Sequence, residues 1–237
     1  MFSGSKDAAL SFARAQEDEG VDDLSLEQVK YVQEPFIAMG RLKEMVNQIL
    51  EHPKCTGHKI YIKGKGNFRY DIYPAYKGNR NEFYRPDCEQ ELRDYLIHRF
   101  DAETVDGEEV DDKVSYLSLE DTRKNVIVAI DKDLDNTPGW HYNYVKKEFY
   151  WVHPEEADRN FYRQLLVGDR GDNIPGLTKV GPVRAEQILG DAVTPYDLYS
   201  KCVEAYDIFG NNNLERNAKL LWIRRQPEEM WIPPEPF

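Results

Sequence analysis

The sequence predicts an α/β domain with a partly parallel sheet. Three observations lead there. Val126–Ile130 (VIVAI) is a short continuous apolar run, the pattern of a buried parallel strand. Trp140–Tyr144 and Glu148–Val152 alternate in polarity and pair across a turn at Val145–Lys147. Segments with apolar residues every three or four positions stand before and after these strands, so strands alternate with helices.

In chain order, residues 1–24 are small, polar and acidic, with no sustained period, and read as weakly structured. Residues 25–51 read as helix. Ser25 caps it, Glu27 lies in the first turn, and Val29, Val32, Phe36, Met39, Leu42, Met45 and Ile49 recur at helical spacing. Pro35 is expected to kink or split this helix. His58–Ile62 reads as a strand. Residues 63–86, rich in Gly, Asn, Pro and Arg, read mostly as loop. A helix is expected over 87–100, and further helices over 155–166, 182–189, 195–207 and 212–223. The C-terminus, with Pro227, Pro233, Pro234 and Pro236, reads as an extended tail.

Composition narrows the function classes. No run of 18 apolar residues exists, so a transmembrane helix is excluded, and Met1–Gly20 has no secretory pattern. The three cysteines, Cys55, Cys88 and Cys202, are odd in number and scattered, which argues against a disulfide framework and a zinc cluster. A cytoplasmic protein is expected. The net charge of −12 alone argues against nucleic-acid binding. Its distribution argues the other way. From Lys54 to Arg80 seven Lys/Arg stand against the single acid Asp71, and a basic segment in an acidic chain marks an anion site.

Three acidic clusters carry the chemistry. The first is Gly107-Glu108-Glu109-Val110-Asp111-Asp112. On a helix Glu109 and Asp112 share a face, with Asp111 on a neighbouring side. The second, Asp131-Lys132-Asp133, follows VIVAI directly, where α/β sheets place their ligands. The third is Gly168-Asp169-Arg170-Gly171-Asp172-Asn173-Ile174-Pro175-Gly176, whose glycines permit tight backbone paths. Singly, each also reads as an acidic loop or a capped turn. Together, seven carboxylates (Glu109, Asp111, Asp112, Asp131, Asp133, Asp169, Asp172) form an oxygen-rich, histidine-poor set, which favours Mg²⁺ or Mn²⁺ over zinc. Two such ions stabilise both the attacking and the leaving oxygen at a phosphate. Setting these seven aside leaves −5 of the −12. Gly176 and Gly181 then bracket a short hairpin, and Pro182 opens a helix at its favoured first position. Backbone N–H groups there hold phosphate without reading bases.

These motifs resemble the 5′–3′ exonuclease and flap endonuclease family, which includes the 5′-nuclease domain of bacterial DNA polymerase I and many phage exonucleases. The segment Phe68-Arg69-Tyr70-Asp71-Ile72-Tyr73-Pro74-Ala75-Tyr76-Lys77-Gly78-Asn79-Arg80 is similar to the family's FR-x-x-x-x-P-x-YK-x-NR motif. Four motifs in family order span about residues 60–190, and the short chain looks most like the phage branch.

The resemblance implies a resolvase/PIN-like core over 1–165 and a C-terminal helix-hairpin-helix DNA-binding region over 166–237. It implies a monomeric, Mg²⁺- or Mn²⁺-dependent nuclease with two ions, acting on DNA or RNA at 5′ ends and flaps in phage replication. Glu109, Asp111 and Asp112 would serve mainly one metal; Asp131, Asp133, Asp169 and Asp172 would serve the other. Lys77 and Arg80 would be catalytic, approaching the scissile phosphate, and Tyr76 would stack on a terminal base. Arg69, Lys179, Gly181 and Arg184 would join them in contacting DNA, with K⁺ at the hairpin. The sequence departs from the family in three places. The opening strand of the form L-I-D-G-D has no counterpart, so the chain is expected to begin after it. Ile62 stands at a usual Asp position, and Lys179 stands where a Gly is usual. An active nuclease, and a nuclease-like module that binds branched DNA without cutting, are both compatible with these departures.

Overall fold

The structure, a computed structural model, describes residues 35–51, 56–80 and 87–236. The expectations for residues 1–34, including the Ser25 cap, lie outside the described residues. The chain divides into two compact units. One holds α1 (Pro35–Leu50) and α3 (Glu89–Phe100). The other runs over Lys59–Phe83 and Ala102–Phe237 and carries every acidic cluster named above. The 165/166 boundary expected from sequence therefore falls inside the second unit, within one helix. In the first unit, Ala38, Leu42 and Val46 are buried at a spacing of four, and Pro35 is the first described residue of the helix, so the kink or split expected there lies at the edge of the described residues.

The second unit contains a parallel strand pair, β1 (Tyr61–Lys63) and β2 (Glu103–Val105), and a three-stranded sheet, β3 (Val126–Val128), β4 (Gly139–Asn143) and β5 (Glu148–Val152). β3 and β4 are parallel, whereas β4 and β5 form the hairpin expected from the alternation, with Lys147 left-handed at φ 59. Helix α4 (Val110–Leu119) packs on both β1 and β3, which are not paired to each other. Strand β3 is not buried on both faces. Ile127 is 2% exposed, packing against Leu134 and Ile223, but Val126 and Val128 are 37% and 42% exposed. Alternate residues point to opposite faces, and only the Ile127 face is covered; the apolar run looks identical in sequence whether one face is covered or two.

The main core gathers around α5 (Pro154–Val167), whose Ala157, Phe161, Tyr162, Leu165 and Leu166 are buried. It packs against α6 (Pro182–Leu189), α7 (Pro195–Ile208) and α8 (Leu214–Leu221). The C-terminal segment is not a free extended tail. Trp231 is buried in this core and Ile223 in the smaller one. Buried Asn217 of α8 donates to the Pro175 carbonyl at 2.8 Å, tying the helices to the third acidic loop.

That loop is closed by a two-residue antiparallel pairing, β6 (Gly168–Asp169) with β7 (Ile174–Pro175). Two glycines make it possible. Gly168 has φ +75, and a Cβ there would lie 2.2 Å from the Gly176 nitrogen; a Cβ on Gly176 would lie 2.2 Å from the Val167 carbonyl carbon. Backbone, not a flexible side chain, fills the space. Gly168→Ala is therefore expected to cost at least about 1–3 kcal/mol from its conformation alone, with the clash adding to it. A urea midpoint equal to that of the wild type would contradict this packing.

Candidate active site

Helix α2 (Arg69–Ile72) leads into the Tyr-Lys-x-x-Arg segment, which interlocks with the third acidic loop through backbone carbonyls. The Lys77 N–H donates to the Asp172 carbonyl at 2.9 Å. Asn79 Nδ2 donates to the Arg170 carbonyl at 2.6 Å, and Arg80 Nε to that of Gly171 at 3.0 Å. In return Asn173 Nδ2 donates to the Ala75 carbonyl at 2.7 Å. Lys77 and Asn173 both take left-handed backbone, φ 55 and 58. Two motifs about ninety residues apart are thus two halves of one contact. Asp169 holds its own turn, its Oδ1 accepting from the N–H groups of Gly171 (2.7 Å) and Asp172 (3.2 Å).

This contact brings carboxylates from separate clusters together. The Tyr76 hydroxyl donates to Asp172 Oδ2 at 2.8 Å and lies 3.3 Å from Glu109 Oε1. Lys77 Nζ contacts Glu109 Oε1 and lies 3.5 Å from Asp172 Oδ2, and Arg80 Nη2 contacts Asp172 Oδ1. Asn67 Nδ2 donates to Glu109 at 2.8 Å. The second cluster adjoins them. Asp131 caps a short 3₁₀ turn (Lys132–Asn136), its Oδ1 accepting from the Asp133 N–H at 3.1 Å. Asp133 accepts from Gln164 at 3.0 Å, and Gln164 is itself held by Asn136 at 2.8 Å.

The electrostatics show how crowded the acids are. Burial, then the charges of Glu109, Asp131 and Asp112, push the Asp111 carboxyl up to about 7, against the pull of Lys77. Burial, then Asp131, Asp169 and Asp172, push Asp133 up to about 6 against its Gln164 hydrogen bond. Burial and the Glu109 charge raise Tyr76 well above its ordinary value, so its hydroxyl stays a donor.

Three residues have uses other than those expected. Asp112 is fully buried, and both its oxygens are filled. Oδ1 accepts from Arg69 Nη2 (2.9 Å) and the Arg224 N–H (3.1 Å); Oδ2 accepts from Arg69 Nη1 (2.6 Å) and the Glu109 N–H (3.1 Å). It is a structural anion at the start of α4, not an available metal ligand. Arg69, 2% exposed, cannot reach DNA. Its Nε and Nη2 also donate to the carbonyls of Leu220 (2.8 Å) and Trp222 (2.7 Å). Burial works against its charge, and Asp112 more than offsets that, so Arg69 is held cationic. Tyr76, also 2% exposed, has its ring in the main core and its hydroxyl on carboxylates, an arrangement that leaves no face for a base.

Lys179, Gly181 and Arg184 stand exposed at the turn and first turn of α6, and none of them is among the partners of the carboxylates described above. Lys179 has φ 60, the conformation for which a glycine would be favoured. Sequence reasoning missed Asn67, Gln164 and Arg224. Arg224 pairs with Glu108 at 2.9 Å and lies 3.9 Å from the Phe68 ring centre, but its position in a proline-rich stretch gave no signal.

No family model matches the chain. It is 28% identical over 166 residues to DNA polymerase I of Bacillus caldotenax, covering 61% of this chain and 19% of that protein. It is 27% identical over 153 residues to the flap endonuclease of Escherichia phage T5, covering 54% and 53%. Among solved structures, a phage T5 protein co-crystallised with metal ions superposes with a TM-score of 0.60 at 20% identity, over 77% of this chain and 82% of that one. The chain has the fold of the T5 5′ nuclease. Its homologues include the T5 flap endonuclease and the 5′-nuclease region of DNA polymerase I, although it spans only about half of the former and a fifth of the latter. A T5 flap endonuclease complex with DNA and metal ions gives a TM-score of 0.59 at 19% identity over 77% and 80%, and a zinc-bound T5 5′-exonuclease gives 0.55 at 19% over 90% and 86%.

Metal ions in these relatives raise the question of whether the present residues suit one. The donor chemistry fits. Glu109, Asp111, Asp131, Asp133, Asp169 and Asp172 offer only oxygens, and their mutual repulsion is what a hard divalent cation relieves. Among the described residues no three such side chains stand at ligand spacing.

Proposed function

We propose that the protein is a divalent-cation-dependent 5′ nuclease that hydrolyses phosphodiesters of DNA at 5′ ends and flaps. The observation that carries this reading is the interlock that sets Lys77 and Arg80 against carboxylates of two acidic clusters. Six carboxylates, Asp112 excluded, would hold Mg²⁺ or Mn²⁺, which when bound supplies Lewis-acid stabilisation of the attacking and leaving oxygens. The protein's own part is positioning. Lys77 and Arg80 present N–H donors to the phosphate oxygens, fixed by backbone contacts rather than by long free side chains. Tyr76 and Asn67 orient Glu109, and the Arg69–Asp112 pair anchors the start of α4 beneath Glu109 and Asp111. Lys179, Arg184 and the N–H groups at the start of α6 would hold duplex backbone. The test is a 5′-labelled flap beside a closed single-stranded circle, each with Mg²⁺ and with EDTA. The flap is expected to be cut only with Mg²⁺ and the circle to stay intact; equal cutting of both would contradict a 5′ nuclease.

One observation favours a second reading, a module that binds branched DNA without cutting. Ile62, at the middle of β1 opposite Thr104, puts hydrocarbon where the family carries an acid. A flap retained but uncut in both Mg²⁺ and Mn²⁺ would support it.

Cation binding also predicts a pH signature. The folded-state carboxyls of Asp111 and Asp133 titrate near 7 and 6, above their ordinary 3.8. The folded protein thus binds more protons than the unfolded chain between about pH 4 and 7. In EDTA the stability contributed by these groups is present below pH 4 and is lost as pH rises to 7. A cation takes over from the protons, so the increase in melting temperature given by Mg²⁺ should be larger at pH 8 than at pH 5. Equal increments would contradict this.

A further inference from the structure

We infer that Lys77 and Arg80 are exchangeable counter-cations of the acidic site, so that a divalent ion and a phosphate bind it cooperatively. The inference rests on the nuclease reading and concerns what these two side chains do to cation affinity. Lys77 Nζ sits on Glu109 Oε1 and within 3.5 Å of Asp172 Oδ2, and Arg80 Nη2 sits on Asp172 Oδ1. The Lys77 side chain is only 13% exposed, and its ammonium also lies 5.0 Å from the Tyr76 ring centre. The protein keeps both side chains beside the site: the Lys77 backbone N–H is bonded to the Asp172 carbonyl, and Arg80 Nε to that of Gly171.

Two consequences follow from charge and geometry. An ammonium or guanidinium and a divalent ion compete for the same carboxylate oxygens, so each ion pair lowers the intrinsic cation affinity. A divalent ion that takes those oxygens leaves the part-buried Lys77 ammonium without its carboxylate partners, a costly state that an incoming phosphate relieves; Arg80, whose side chain is 42% exposed, keeps its Gly171 carbonyl and contributes less. Phosphate therefore tightens cation binding, and by reciprocity the cation tightens phosphate binding by the same factor. The protein is thereby biased against holding tightly bound cations when it has no substrate.

The test measures Mn²⁺ binding by the electron paramagnetic resonance of free Mn²⁺, with no turnover involved. It uses wild type, Lys77→Met, Arg80→Met and Lys132→Met, with and without a non-hydrolysable 5′-phosphorylated duplex. Lys132 is exposed between Asp131 and Asp133 and controls for charge alone. Without DNA, Lys77→Met is expected to bind Mn²⁺ about fivefold tighter or more, Arg80→Met to shift the same way, and Lys132→Met to shift far less. The duplex should tighten Mn²⁺ binding in wild type and much less in Lys77→Met. Unchanged or weaker Mn²⁺ binding by both Lys77→Met and Arg80→Met, or an equal gain in Lys132→Met, would overturn the exchange while leaving the nuclease reading standing. Absence of Mn²⁺ binding in every protein would overturn both.

Discussion

Replacing Arg69 by methionine is expected to destabilise the protein by about 3–5 kcal/mol, because it leaves a buried carboxylate without its cation. Asp112 has no access to solvent, and two of its four hydrogen bonds come from this guanidinium. The same change removes the donors to the Leu220 and Trp222 carbonyls, which tie α2 to the end of α8. The loss should appear as a lowered urea midpoint. Pairing Arg69→Met with Asp112→Leu should recover most of it, since an apolar pair of similar volume replaces a buried ion pair at little cost. A single variant as stable as wild type would refute the strut. A double variant no more stable than the single would show that the carbonyl contacts, rather than the ion pair, carry the energy.

That strut marks the limit of what could be read from sequence. The three acidic clusters, the basic motif ahead of them and the order in which they occur were legible, because spacing along a strand exit or helix start determines which acids can share a face. The hairpin at Val145–Lys147 and helix α6 were legible for the same reason. The role of Asp112 was not. Helical periodicity puts it beside Glu109, but its partners Arg69 and Arg224 lie 43 and 112 residues away. Nothing local distinguishes a carboxylate that faces a cation from one that faces a buried guanidinium. Arg69 and Tyr76 were misplaced likewise: an Arg and a Tyr in a basic, loop-like segment read as exposed, yet each reaches inward to satisfy a buried or half-buried acid. The terminal prolines concealed Trp231 and Arg224, since an extended backbone is equally suited to free solvent and to packing across helices.

Asp131→Ala should produce the largest functional loss at the smallest structural cost. Asp131 is exposed, and its hydrogen bond among the described residues is the cap on the Asp133 N–H, worth about 1 kcal/mol. Yet it lies between Asp111 and Asp133 in the charge crowding that links the first cluster to the others. Losing it should remove several kcal/mol of transition-state stabilisation at the cation site, which slows cleavage by about 10³-fold or more. The deciding measurement is the single-turnover cleavage rate of a 5′-labelled flap in Mg²⁺, for wild type and Asp131→Ala side by side, with flap affinity and melting temperature recorded for both. A cutting wild type and an Asp131→Ala variant that binds the flap but cuts about 10³-fold more slowly is the predicted result; equal cleavage by the two proteins would contradict the account.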